Sequence, residues 1–413
     1  MKRYVIIGNG AATIGAVEGI RRLDSEGPIT IISSEPYHTY ARPLISYYIE
    51  GKTDRERMKY RPDDFYEKNG CEFLAGKTAV KIDPAAKSVT LDDGSVVSYD
   101  KLCYAAGSSS FIPAFRGLET VSESDRFTFM TLDDAERLKA RIEPGLSVLI
   151  VGAGLIGLKC AECIYGKVGA ITVVDLAPRI LSSILEEKSA SIVQRHLEGK
   201  GLNFILNDSV DEFHGHIAIM KSGIRQFFDI VVLAVGVRPN VALMKEAGAR
   251  VNRGVSTDRH MYTGVDGIYA AGDCTETFDV SCGETRILAL MPNAYMQGEC
   301  AGINMAGGDC DFENAVPMNA IKLLGLHIST AGSYIGDVIE RENTADRTYT
   351  RFYVDGGLLR GYIMLGEPYR NGIYTSIIRN QIPIDKIDFE TLIKSPSISA
   401  MGESYICQLE RKV

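Results

Sequence analysis

Four apolar residues, Tyr4–Ile7, are followed at once by Gly8-Asn9-Gly10, a helical pattern running through Arg22, and a second apolar run, Ile29–Ile32, that leads to Glu35. A short unbroken apolar run bounded by turn residues predicts a strand buried on both faces, and an apolar stripe every three to four positions predicts a helix. This segment therefore predicts strand, glycine turn, helix, strand. The same order recurs at Ser147–Val151, Gly152–Gly157, a helix through Gly166, then Ile171–Val174 and Asp175. The duplication is the main organisational feature of the chain, a repeated architecture rather than a short tandem repeat.

Between the two copies, Val89–Leu118 has hairpin-like alternation with a turn at Asp93-Gly94 and a strand-like run at Leu102–Ala106. After the second copy, Ile230–Ala234 and Ile268–Ala271 are strand-like. The C-terminal part changes character. Tyr349–Val354 and Leu358–Leu365, separated by Asp355-Gly356-Gly357, predict a β-hairpin, with helical patterns after it. The expected class is α/β, with two Rossmann-like dinucleotide-binding domains and a C-terminal α+β domain.

The chain has 413 residues, 45% of them hydrophobic, enough for two to three domains at ~100–200 residues each. A net charge of −8 argues against a nucleic-acid partner. No apolar run reaches the ~18 residues of a membrane span. Met1-Lys2-Arg3 runs directly into the first strand, which argues against a signal peptide. The nine cysteines are scattered without the spacing of a disulfide scaffold or an iron–sulfur site. They are expected as reduced thiols in a cytoplasmic protein without a metal site.

The glycine loops carry the chemistry. Gly8 permits a tight turn, Gly10 lets a pyrophosphate approach the backbone of Ala11 and Ala12, and the helix N-terminus supplies N–H groups and partial positive charge. The third motif position holds Thr13 in place of glycine. Glu35, 27 positions after Gly8, stands where a carboxylate binds a ribose hydroxyl. The second loop, Gly152-Ala153-Gly154-Leu155-Ile156-Gly157, is complete, and Asp175 lies 23 positions after Gly152. A carboxylate there accepts from the ribose diol of NAD and repels a 2′-phosphate. Arg179 is the nearest basic residue after it, so NADH is expected over NADPH.

Two dinucleotide motifs in one chain resemble the FAD-dependent pyridine nucleotide–disulfide oxidoreductases, and within them the NADH:rubredoxin and ferredoxin reductases and the flavoprotein part of NADH-dependent nitrite reductase. The resemblance rests on the two loops, Tyr104–Gly107, Gly236–Asn240 and Thr263–Asp273, and covers about three quarters of the chain. It implies FAD and NAD(H) as cofactors. It also implies an NAD domain (118–246) inserted in an FAD domain (1–117 and 247–316), with an interface domain over 317–413. Asp273, after Gly272, is implied as the acceptor for the FAD ribityl chain. Ala106, beside Gly107, stands where the family usually has Thr. Asn293 and Ala294 precede a small-residue helix, Gln297–Gly307, whose N-terminus is implied to face the flavin pyrimidine. Gly236 belongs to the NAD side.

The segment Tyr37–Tyr47, with Arg42-Pro43, resembles the family stretch that lies against FAD. Pro43 aligns with the redox cysteine of some members, and Lys2–Gly70 contains no cysteine. Where the family has a Lys–Glu ion pair beside the flavin, this chain has Tyr47 and Lys159. These two are the candidate catalytic residues, with Glu162 one turn on as a partner for Lys159; the alternative is that Lys159 faces solvent. Cys160 and Cys163, inside a predicted helix, fit buried packing better than a dithiol relay. Arg286 and Lys322 read as surface charges.

The resemblance implies an NADH-dependent reductase of a small acidic iron–sulfur protein, the electrons leaving FAD without a thiol relay. An NADH oxidase using oxygen and a flavin-containing scaffold subunit are the alternatives, and a homodimer is left open. The densest basic stretch, Lys52–Arg61, is either the docking surface for an acidic partner or a solvated, salt-bridged helix.

Overall fold

Every residue of Tyr4–Ile7 and of Ile230–Leu233 is buried, as unbroken apolar runs in a sheet covered on both faces should be. The structure, a computed structural model, describes residues 1–343, 348–366, 370–394 and 396–402. It divides into two units, one of Met1–Glu276 and Met291–Phe312, the other of Thr277–Leu290 and the chain from Glu313 onward.

The first unit holds two five-stranded parallel sheets of the same design. In one, the order is Ile268–Ala270, Lys101–Tyr104, Tyr4–Ile7, Ile29–Ser33, Cys71–Ala75. In the other it is Asn203–Leu206, Ala170–Asp175, Ser147–Val151, Ile230–Leu233, Arg126–Phe127. The first strand of each copy is central, and the chain departs to one side and returns on the other. That strand's carboxyl end is therefore a topological switch point, where open α/β sheets bind ligands. Each glycine loop sits at such a point. The turn at Asp93-Gly94 joins Ser88–Leu91 to Val96–Ser98 in a small antiparallel sheet.

The helices Ala11–Arg21 and Met291–Ala306 touch backbone to backbone. A Cβ at Gly15 would lie 2.1 Å from the Tyr295 carbonyl oxygen, and one at Gly298 would lie 1.9 Å from that of Ala12. The second helix was expected to begin at Gln297 but begins at Met291. Pro292 is tolerated because N–H groups in the first turn have no intrahelical partner. Asn293 and Ala294 are thus helical rather than part of a preceding loop.

In the second unit, the expected hairpin forms with Asp355 opposite Leu358. It belongs to an antiparallel sheet ordered Met318–Leu323, Leu326–Gly332, Leu358–Leu365, Thr348–Asp355, Asp337–Asn343, followed by the helices Gly372–Arg379 and Phe389–Lys394. Phe352, Tyr362, Tyr374 and Ile377 fill its core. Lys322 is exposed, as expected. Arg286 is not a simple surface charge: its Nε donates to the fully buried Asp279 at 2.7 Å, so it neutralises a carboxylate inside the fold. Among the described residues no helix is long and apolar enough to cross a membrane.

Candidate functional site

The two glycine loops are built alike. Gly8 has φ +118° and Gly152 φ +116°. A Cβ at Gly8 would lie 2.1 Å from the Ala105 carbonyl oxygen, and one at Gly152 would lie 2.2 Å from that of Ala234. Only glycine meets both demands. Gly10 and Gly154, the N-caps of Ala11–Arg21 and Leu155–Ile164, have nothing within 4 Å of where a Cβ would be. Neither cap has a side-chain hydrogen bond, and neither helix has an acid in its first turn. The helix Leu132–Arg141, by contrast, closes its own N-terminus with a capping box of Thr131 and Asp134. Two helix N-termini are thus left without a side-chain cap or an acid, the arrangement that favours an anion. Ala11 and Ala12 lead one helix, Leu155 and Ile156 the other.

The third motif position differs for a physical reason. A Cβ at Gly157 would lie 1.9 Å from the Gly152 carbonyl oxygen. Thr13, fully buried, instead donates its hydroxyl to the Gly8 carbonyl at 2.9 Å. The first loop replaces a close backbone contact with a hydrogen bond.

Each loop has its carboxylate. Asp175 accepts from Ala153 N at 2.6 Å and from Ala177 N at 2.7 Å, which fixes it against the second loop. Glu35 accepts from the Tyr40 hydroxyl at 2.7 Å and pairs with Arg42. The Tyr40 hydroxyl accepts from Leu132 N at 3.0 Å, and burial pushes its phenol well up. Tyr40 lies inside the Tyr37–Tyr47 segment, but only the fold shows that it organises Glu35. Pro43 lies in the turn Arg42–Leu44 just before the helix Ile45–Glu50.

Asp273 lies half-buried in the field of Arg42. Burial raises its carboxyl above the ordinary value, against the opposing pull of the Arg42 guanidinium and the Ser108 hydroxyl. Gly272 N donates to Gln297 Oε1 at 2.7 Å, which ties Asp273's loop to the helix Met291–Ala306. A Cβ at Gly272 would lie 3.2 Å from that of Ala12 and 3.7 Å from that of Ala294. The first glycine loop, the Gly272-Asp273 turn and Ala294 in the first turn of the helix Met291–Ala306 therefore converge on one cradle. Asn240, just after the strand Val237–Pro239, joins it to Ala106 and Gly107: its Nδ2 donates to Ala106 O and its N to Gly107 O, both at 2.9 Å.

Tyr47 and Lys159 meet where Ile45–Glu50 packs on Leu155–Ile164, the Lys159 ammonium 4.9 Å from the Tyr47 ring centroid. Lys159 also pairs with Glu162, as expected. Cys160 and Cys163 are fully buried. The basic stretch is salt-bridged throughout: Lys52 pairs with Glu50, Arg55 with Glu136, Arg57 with Asp54, Lys59 with Glu56 and Asp63, and Arg61 with Glu18.

Two dinucleotide cradles of this kind in one chain define an NADH-dependent flavin oxidoreductase. Residues 2–298 match the model of the pyridine nucleotide-disulphide oxidoreductases, and the chain belongs to that family, whose cofactors are FAD and NAD(H). It is 27% identical to the NADH-dependent phenylglyoxylate dehydrogenase subunit epsilon of Aromatoleum evansii, over 91% of either chain. It is 31% identical to a probable ferredoxin reductase of Castellaniella defragrans, over 74% of this chain and 76% of that one. The chain spans only 48% of the nitrite reductase of Bacillus subtilis, to which it is 28% identical over 93% of its own length. The covalent putidaredoxin reductase–putidaredoxin complex has the same fold, with a TM-score of 0.89, 22% identity, and coverage of 97% of this chain and 99% of that one.

Proposed function

We propose that the chain carries electrons from NADH through FAD to a small acidic iron–sulfur protein, with no redox-active cysteine between flavin and acceptor. FAD, when bound, accepts electrons in a pair from the nicotinamide and returns them singly. Gly8, Gly10, Ala11, Ala12, Glu35, Arg42, Pro43, Ala106, Gly107, Gly272, Asp273, Asn293 and Ala294 hold it, from a domain of 1–117 and 247–316. Gly152, Gly154, Leu155, Ile156, Asp175 and Gly236, in 118–246, hold the nicotinamide dinucleotide. Residues 317–413 form the interface domain.

The observation that carries this reading is the state of the thiols around the first cradle. Pro43 occupies the turn before the helix Ile45–Glu50. Cys274, next to Asp273, is fully buried and burial pushes its thiol up to about 12; Cys103, on the neighbouring strand, is buried as deeply and pushed higher. A thiol held protonated is a poor nucleophile and a poor relay. The similarity to a probable ferredoxin reductase supports an iron–sulfur acceptor.

Anaerobic mixing with NADH should bleach the flavin, and added ferredoxin or rubredoxin should restore it. Reoxidation by air alone overturns the proposed acceptor and leaves an oxidase. A second reading is favoured by the match, over 91% of either chain, to an epsilon subunit: the chain is the flavin subunit of a larger oxidoreductase. Co-elution with other subunits at native abundance distinguishes it from a free-standing reductase.

A further inference from the structure

The helix Ile45–Glu50 begins three residues after Arg42, and the helix Leu155–Ile164 opens on the second glycine loop. Their contact therefore joins the helix that follows Arg42 to the helix that follows the second glycine loop. Four charged side chains gather there. Glu50 pairs with Lys52, and Lys159 pairs with Glu162. Glu50, Lys159 and Glu162 keep only 9%, 17% and 11% of their side-chain surface in solvent. Both ammonium groups lie over the Tyr47 ring, Lys159 4.9 Å and Lys52 5.8 Å from its centroid. The Lys52 ammonium is held above its ordinary value by Glu50 and, more weakly, by Glu162, so the two pairs share one field.

Folding gives little reason for such a group. Exposed ion pairs contribute about 0–1 kcal/mol, and largely buried ones are often no more stabilising than apolar residues of the same volume. Electrostatics act most strongly where water is excluded, and with the cofactors placed as proposed above these charges lie between the helices that lead from the two sites. We propose that Glu50, Lys52, Lys159 and Glu162 form a charge-balanced quartet that sets the reduction potential of the bound flavin, Lys159 raising it and Glu50 holding it down. Tyr47 is a positioning residue, its ring face fixing both ammonium groups. The inference rests on the cofactor placement proposed above.

The test is the midpoint potential of the FAD-loaded protein, measured spectroelectrochemically. Reduced flavin carries negative charge, so Lys159→Gln should lower the potential and Glu50→Gln should raise it. A tenfold change in the NADH–flavin equilibrium in each case is ~30 mV for a two-electron couple. Lys159→Arg should restore the wild-type value. Lys52→Gln should lower the potential by less, because that side chain is 65% exposed and screened. It is also the variant that decides the matter if Glu50→Gln does not fold. Opposite signs are the signature, since a merely structural role gives none. Flavin-loaded Glu50→Gln and Lys159→Gln proteins that shift the same way, or not at all, overturn the quartet; so do unmoved potentials in Lys52→Gln and Lys159→Gln. A wild-type chain that binds no FAD, or whose flavin NADH does not reduce, overturns the proposed function instead.

Discussion

The Asp175 carboxylate is held against the second glycine loop by Ala153, whose backbone N–H donates to it at 2.6 Å. Ala177 N holds its other oxygen at 2.7 Å. A carboxylate fixed at both oxygens keeps its remaining lone pairs aimed at one place, and it cannot swing aside for a phosphate. Arg179, the nearest base, is itself tied through Nε to the Leu185 carbonyl at 3.1 Å. Wild type should therefore prefer NADH to NADPH in flavin reduction. Asp175→Ala should weaken NADH roughly ten- to hundredfold, the range for a hydrogen bond to a charged group, and narrow the gap between nucleotides. Steady-state KM values for the two nucleotides check this, and a wild-type preference for NADPH would place the carboxylate elsewhere.

Asp273 should be needed for FAD retention. Asp273→Ala should weaken FAD by ~1.5–3 kcal/mol, the value of a hydrogen bond to a charged acceptor, read as the flavin-to-protein ratio after gel filtration. The pH dependence follows from the raised carboxyl. A folded-state value above the unfolded one means that ionisation opposes the folded apo-protein. Apo stability from this group is then fullest at low pH and falls as pH rises through the folded value. A ribityl hydroxyl donates to the ionised form, so FAD affinity should climb over the same window and then level off. Affinity flat from pH 4 upward in wild type would remove Asp273 from the site.

Much of the fold was legible because its signals are local. Tyr4–Ile7 and Ser147–Val151 are continuous apolar runs that end in glycines, and the physics of a central parallel strand leaves few alternatives for them. The cradle was legible wherever a backbone requirement writes itself as glycine, as at Gly8 and Gly152. Contacts between distant segments were not. Nothing near Glu35 announces that Tyr40 links it to Leu132. Gly298 and Gly302 lie in a helix whose small residues name no partner in the sequence, and only the close approach to Ala12 and Ala16 gives them a reason. The sequence left Lys52–Arg61 open between a docking surface and a salt-bridged helix because two of the acids that pair with it, Glu18 and Glu136, are remote in sequence.

Those pairings weaken the case for docking at the basic stretch. Arg57 is the most exposed of its cations and, among the described residues, pairs only with Asp54, at 3.5 Å. Its reversal to Glu should change the rate of acceptor reduction less than about twofold at low salt, as expected for a surface charge that steers nothing. A large loss, absent at high salt, would restore the stretch as the docking surface.

Cys160 and Cys163 should prove inert. Both are fully buried, and Cys163 donates through Sγ to the Cys160 carbonyl at 3.1 Å. Burial pushes its thiol well above the ordinary range. Iodoacetamide should not modify either residue in the native protein. Replacing both with Ala should cost about 1–2 kcal/mol of stability through lost packing. Flavin reduction by NADH and transfer to the acceptor should both persist, and loss of transfer alone would revive a dithiol relay.

Gly10 and Gly298 should separate binding from folding. At Gly298 an added Cβ would lie 1.9 Å from the Ala12 carbonyl oxygen, a backbone atom with nowhere to go. Gly298→Ala should therefore push apart the helices Ala11–Arg21 and Met291–Ala306, at about 1–3 kcal/mol or more. Because Ala12 also packs near Gly272 and Ala294, the displacement should loosen the cradle and release FAD as well. Gly10 is the opposite case. Its φ of −105° and ψ of −165° suit any residue, and a Cβ there meets nothing within 4 Å. Gly10→Ala should leave the thermal unfolding of the apo-protein unchanged, while its methyl group occupies the space a pyrophosphate needs before the helix N-terminus. The two variants together thus predict a dissociation: both lose FAD, but only Gly298→Ala loses apo stability. Thermal unfolding with and without FAD reads both quantities. Full FAD loading in Gly10→Ala would mean that the open space before the first helix is not where the dinucleotide lies.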